Sequence, residues 1–94
     1  MARMFNPPHP GDVLREFLPE NMTIDEVARR LGVSRVQLSR VLNGRSSVSA
    51  DMAIRVGLVT RTTPESWMAA QAKWDLWQAS RKARPRVTPF RKAA

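Results

Sequence analysis

Cysteine is absent from this chain, and histidine occurs once, as His9. Without thiols there is neither a disulfide framework nor a thiolate metal site. A lone His, with acids that sit mostly in the first turns of helices, assembles no nucleophile–base pair and no metal-ligand cluster. An enzyme is therefore the excluded class, and no cofactor or metal is expected. His9 reads as the start of the first helix. Long apolar runs are missing too, and no signal-peptide pattern precedes that helix. A cytoplasmic protein with no membrane partner is expected. Strand patterns longer than a few residues and internal repeats are also lacking, which leaves helices to build one domain from 94 residues.

Acids are the other shortage. Eight Asp and Glu face sixteen Lys and Arg, for a net charge of +8. The excess is localised. Residues 1–22 and 62–80 each come to −1. Residues 23–61 carry seven Arg against three acids, and residues 81–94 carry Arg81, Lys82, Arg84, Arg86, Arg91 and Lys92 with no acid. A polyanion is the natural partner of both basic segments. For residues 81–94, a charge run with two prolines equally describes a solvated, disordered tail. Arg-rich segments of this kind can also fold on RNA.

In the first basic segment two capped helical stretches stand back to back. Thr23-Ile24-Asp25-Glu26 opens one, Val27, Ala28 and Leu31 continue it, and Gly32 stops it. Ser34-Arg35-Val36-Gln37 opens the next, Leu38, Val41 and Leu42 continue it, and Gly44 stops it. A hydroxyl residue followed three places later by Glu or Gln is a capping box, and Gly tolerates the left-handed conformation after a helix. With only Gly32-Val33 between them, the two helices must cross steeply, as a helix-turn-helix. The apolar residues of the second helix leave a face with Arg35, Gln37, Ser39 and Arg40, side-chain types that read base edges in a major groove. Double-stranded DNA is the expected ligand, which places the protein at the nucleoid.

The rest of the chain supplies a frame. Residues 1–8 read as an irregular arm. Pro10 suits a first helical turn, Val13, Leu14, Phe17 and Leu18 form an apolar face, and Pro19 ends that helix. Ser49 caps a helix over about 50–59 whose Met52, Ala53, Val56 and Val59 turn inward, with Arg55 facing out. Thr63-Pro64-Glu65 opens a last helix reaching about Arg81. Trp67, Ala70, Trp74 and Trp77 share one stripe of it. Three Trp exceed what so small a core usually needs, so part of the stripe is expected to meet another chain; core burial of all three is the competing reading. The domain then spans residues 9–80, and the tail 81–94.

HPGDVLREFL (9–18), TIDEVARRLGVSRVQLSRVLNG (23–44), SADMAIRV (49–56) and TPESWMAAQAKWDLW (63–77) follow in an order and spacing that resemble HigA-type antitoxins. These are the plasmid-maintenance antidote branch of the Xre/Cro helix-turn-helix family. The resemblance covers roughly residues 7–80. It implies an all-α, lambda-repressor-like domain of five helices, the last one extended. It implies a homodimer that binds a palindromic operator, represses its own operon and neutralises a HigB-type, mRNA-cleaving toxin. The alternative is a solitary Xre-type transcriptional regulator without a toxin partner. Family members commonly carry Gln where this chain has Ile24, and a large apolar residue where it has Ser66.

On this reading Arg35, Val36, Gln37, Ser39 and Arg40 contact bases. Val36 packs on a thymine methyl, Gln37 either closes its own cap or pairs with adenine, and Arg40 is the candidate for a bidentate guanine contact. Thr23, Asn43, Arg45, Ser46 and Ser47 contact phosphates, through free amides at the start of the first helix of the pair and hydroxyls, amides and Arg in the loop after the second. Trp67, Trp74 and Trp77 are the candidate dimer interface, which is expected on the last helix and the adjacent end of the helix before it. A module centred on protein interaction, with DNA binding secondary, is the second class to weigh.

Overall fold

The computed structural model describes residues 6–91. Residues 1–5 of the expected arm and 92–94 of the expected tail lie outside the described residues. Five helices follow one another: α1 (Pro10–Phe17), α2 (Ile24–Leu31), α3 (Arg35–Leu42), α4 (Ala50–Thr60) and α5 (Pro64–Ser80). Among the described residues there is no strand.

Each helix starts on a side chain that takes up one of its orphan amides. His9 Nδ1 accepts from the Gly11 amide at 2.9 Å, Thr23 from Glu26 at 3.1 Å, and Ser34 from Gln37 at 3.0 Å. Ser49 accepts from Met52 at 3.1 Å and Thr63 from Ser66 at 3.2 Å. The two capping boxes are half made. Glu26 does not reach back to the Thr23 amide; its carboxylate takes the guanidinium groups of Arg29 and Arg30. Those hydrogen bonds hold its pKa down to about 2. Gly32 (φ 74°) and Gly44 (φ 71°) occupy the left-handed conformation that ends α2 and α3.

The core is one cluster of Leu14, Val27, Ala28, Leu31, Leu38, Val41, Leu42, Val48, Met52, Ala53, Val56 and Trp67. It draws on all five helices: α1 packs on α3 and α4 on α2, which holds the α2–α3 crossing from both sides, and α5 packs on α4 and α1. Helix α1 lies very close to α3: a Cβ on Gly11 would fall 2.0 Å from the Val41 carbonyl oxygen. Only glycine lets the two backbones approach this far.

Several expected orientations differ in the structure, and Phe17 and Val59, expected on the core-facing stripes of α1 and α4, are 46% and 43% exposed. Trp67 is 3% exposed, its indole Nε1 donates to Thr62 Oγ1 at 2.6 Å, and its ring meets Phe17 edge-on. It is a core residue, not a dimer contact. Trp74 and Trp77 are half-buried on the same inward stripe, Trp74 edge-on to His9 and Trp77 beneath the Arg81 guanidinium. The reason is length: α5 runs 17 residues across the bundle, and its aromatic face covers the ends of α1 and of the α3–α4 loop. Arg55 likewise does not face out. It turns back onto the end of α2, where Nη1 donates to the Leu31 and Gly32 carbonyls at 2.9 and 3.3 Å while Nε holds Asp51 at 2.7 Å.

Candidate nucleic-acid interface

Leu38, Val41 and Leu42 bury one side of α3. What remains is a ridge formed by Arg35, Val36, Gln37 and Arg40, all exposed. Val36 is 69% exposed, an apolar side chain held in water among polar neighbours. Ser34 Oγ takes the Gln37 backbone amide; among the described residues the Gln37 side-chain amide makes no hydrogen bond, so the cap leaves it free. The Arg40 guanidinium is likewise without a hydrogen bond or ion pair among the described residues. Arg35 is loosely held by Asp25, 3.4 Å away, in an exposed pair of a kind that contributes little. Ser39 is half-buried and accepts from Asn43 Nδ2 at 3.3 Å, which sets it back from the ridge.

The loop after α3 is wound tightly against the helix end. The Arg45 and Ser46 amides both donate to the Arg40 carbonyl, at 2.8 and 3.2 Å. Arg45 and Ser47 stay exposed and Ser46 is half-buried. Asn43 caps α3. Thr23, exposed at the start of α2, completes the set of sequence-derived phosphate candidates. The ridge is thus bracketed by the first turn of α2 and by the 43–47 loop. Helix α3 itself contains no acid, so along it a polyanion meets cations, an amide and the apolar Val36, and no carboxylate.

Three residues that fix this geometry escape a local reading of the sequence. Arg15 on α1 donates from Nε to the Leu42 carbonyl at 3.2 Å and from Nη2 to Asn43 Oδ1 at 2.7 Å. It places a cation at the C-terminus of α3, where the helix dipole favours one. Arg55 does the same for α2. Gln71 on α5 is 4% exposed; its Oε1 accepts from the Val48 amide at 2.7 Å and its Nε2 donates to Asp75 at 2.9 Å. Gln71 alone offers a hint: it is the polar member of the stripe that contains Trp67 and Trp74. His9, 4% exposed, sits between the two regions, its ring against Gly44 of the loop on one side and Trp74 of α5 on the other. Burial lowers its pKa, against the opposing pull of Asp12, Asp75 and the Ser46 backbone.

No helix among the described residues is long and apolar enough to cross a membrane. Among them no group of His, Asp and Glu is placed to hold a metal ion.

Residues 14–67 match the helix-turn-helix family model. The chain is 40% identical over 87 residues to virulence-associated protein A' of Dichelobacter nodosus, covering 90% of this chain and 76% of that one. The Pseudomonas aeruginosa antitoxin HigA, solved with the higBA promoter, superposes with a TM-score of 0.73 at 39% identity, over 78% of this chain and 82% of the other. An addiction module antidote protein of the HigA family from Coxiella burnetii superposes with a TM-score of 0.77 at 33% identity, over 92% and 100%. With the bracketed ridge and the five-helix frame, these likenesses place the chain in the Xre/Cro helix-turn-helix family of DNA-binding proteins, in its HigA-type antidote branch.

Proposed function

We propose that this protein is the antitoxin of a toxin–antitoxin pair, which binds operator DNA as a homodimer, represses its own operon and neutralises a HigB-type, mRNA-cleaving toxin. The observation that carries the DNA-binding part is the unengaged ridge of α3. Arg35, Val36, Gln37 and Arg40 stand exposed on a helix whose other side is anchored in the core. The structural relative solved with its promoter supports the same reading. In this reading α3 enters the major groove with its first turn leading, Gln37 and Arg40 face base edges, and Val36 meets a thymine methyl. Thr23, Asn43, Arg45, Ser46 and Ser47 hold the flanking phosphates and set the register.

One such unit spans only a few base pairs. Pairing two across a dyad sets their recognition helices about 34 Å apart, one turn of DNA. The surface that suits this pairing is not the Trp stripe, which faces inward. It is the outer face of α4 and α5, where Ile54 (51%), Leu58 (77%), Met68 (40%) and Leu76 (61%) are exposed. Ile54 and Leu58 are four residues apart on α4, and Met68, Ala72 and Leu76 follow the same spacing on α5, so each set forms a strip. The strips adjoin at a shallow depression lined by Ala50, Ile54, Pro64, Glu65 and Met68. A continuous apolar surface on so small a protein marks a protein contact.

The test is binding of the purified protein to its own upstream DNA and to a scrambled fragment over a salt series. A preference of about 10³-fold or more for the upstream fragment is expected of a specific repressor. Equal binding to both, vanishing with salt, is the signature of charge alone and would sink the operator reading. Co-expression with the product of the neighbouring reading frame tests the toxin: co-purification and relief of growth arrest are expected, and a protein that purifies alone is a solitary regulator.

A further inference from the structure

We propose that the basic segment from Arg81 to Arg91 is a second DNA-binding element, an arm that lies along the phosphate backbone of the duplex flanking the site read by α3. This rests on the operator reading above.

The first argument is where the arm begins. Helix α5 is fastened to the loop that follows α3: Gln71 holds the Val48 amide, and Trp74 lines one cleft with Asn43, Gly44 and Arg15. From Trp74 to Ser80 the helix rises about 1.5 Å per residue, roughly 9 Å in all. The arm therefore leaves the body within about a turn and a half of helix from the loop that offers Asn43, Arg45 and Ser46 to phosphates. Its exit is also fixed. The Arg81 guanidinium lies over the Trp77 ring, 4.5 Å from its centroid, and Arg84 Nη2 donates to the Ala79 carbonyl at the end of α5. Pro85 then prevents the helix from resuming.

The second argument is what the arm displays. Residues 83–91 form neither helix nor strand, and every one is exposed. Lys82, Arg84 and Arg86 alternate with neutral residues, so on an extended chain they share a side. Lys82, Arg86 and Arg91 have no side-chain hydrogen bond or ion pair among the described residues, and beyond Asp75 the sequence contains no acid to neutralise them. Nine extended residues reach roughly 30 Å at about 3.3 Å each, close to one turn of DNA, along which a duplex presents one negative charge per ~1.7 Å. Pro85 and Pro89 restrict the backbone, so less freedom is lost when the arm settles.

A variant of the whole chain with Lys82→Gln, Arg86→Gln and Arg91→Gln tests this; Arg81 and Arg84 are kept because they close α5. Binding of both proteins is measured between 50 and 200 mM salt, to a duplex holding the core site alone and to one lengthened by about one turn on each side. Wild type is expected to gain about tenfold from the flanks at the lowest salt, and the variant nothing. The variant's log–log salt slope should be shallower by about 0.9 for each phosphate that the arm no longer neutralises, while its preference for operator over scrambled core is unchanged. Equal slopes and equal flank gains in the two proteins overturn the arm. So does a variant whose only defect is in binding a single-stranded RNA of matched length. A wild type that does not prefer its upstream sequence removes the operator reading instead, and the slope difference still judges the arm.

Discussion

The α3 ridge and the outer face of α4 and α5 are both exposed helix surface on the same small core, yet they differ in kind. On α3 the exposed side chains are Arg, Gln and one Val, and the guanidinium and amide groups of Arg40 and Gln37 make no hydrogen bond among the described residues. On α4 and α5 the exposed side chains are Ile54, Leu58, Met68 and Leu76, whose apolar area is left in water. A polar ridge in water costs little, and its hydrogen-bonding capacity stays available to a wet, charged partner. An apolar strip gains by being covered, at about 25 cal/mol for each Å² removed from water. The contrast is what supports the proposal of the ridge for nucleic acid and the strip for protein. It also separates two kinds of arginine: Arg15 and Arg55 are spent on helix C-termini within the fold, whereas Arg40 is left for a ligand.

The largest effect should come from the residue that the fold moved from one side of this contrast to the other. Trp67→Ala empties a core site and removes a hydrogen bond to Thr62, a loss of about 3–5 kcal/mol. Small domains have about 5–15 kcal/mol in total, so a low and poorly cooperative thermal melt is expected. Val36→Ser, by contrast, at a position 69% exposed and outside both core and strip, should leave the melting curve within about 0.5 kcal/mol of wild type. If Trp67→Ala melts like wild type and only dimerisation suffers, Trp67 belongs to the interface after all.

Next comes the strip. Ile54→Asp with Leu58→Asp puts two charges where a partner surface would sit. A folded monomer in light scattering at tens of micromolar is expected, with operator affinity down by about 100-fold as two-site binding is lost. A variant that remains dimeric removes α4 from the interface. The ridge should respond in the opposite manner. Arg40→Ala is expected to cost about 1–3 kcal/mol of binding at one base pair of each half-site, while dimerisation and melting stay as in wild type. An unchanged base preference at every position would reduce Arg40 to a phosphate contact or a solvated side chain.

The two faces were unequally legible in the sequence. Helices α2 and α3 announce themselves because their starts and stops are local: Thr23 and Ser34 cap amides three residues on, and Gly32 and Gly44 end what they began. The Arg40 and Gln37 candidates follow from that, since Leu38, Val41 and Leu42 leave only one side of α3 for polar groups. The strip on α4 and α5 was legible only in part: an interface was expected on α5 and the adjacent end of α4, but through the Trp side chains. Along α5 both the inward stripe and the outward one contain apolar residues at helical spacing, and the larger Trp side chains drew the interface reading to the stripe that the fold turns inward. Which stripe points in is decided by where α4 and the α3–α4 loop lie. The fastening residues were hidden for the same reason: Arg15 finds its carbonyl 27 residues away and Arg55 24, and Gln71 finds its amide 23 away. A capping residue carries its partner in its own neighbourhood, and these do not.

The smallest predicted effect concerns the residue where the two regions meet. His9 touches the DNA-side loop at Gly44 and the α5 side at Trp74, and its Nδ1 accepts the Gly11 amide that starts α1. An imidazolium cannot accept that hydrogen bond, and the site is buried, so the folded protein favours neutral His9 and its pKa lies below the ordinary value of about 6.5. Below that value the unfolded chain binds a proton more readily than the folded one, so stability should fall as pH drops from about 6.5, and should be fully present above it. Glu26, held at about 2, stays ionised in both states until the pH approaches the ordinary carboxylate range, and so adds little slope between pH 7.5 and 5.5. His9→Asn keeps an oxygen acceptor at the start of α1 and removes the titrating group. Thermal melts across that window should fall for wild type and stay level for His9→Asn. Parallel curves would mean that the acid sensitivity lies elsewhere, and that His9 joins the two regions by packing alone.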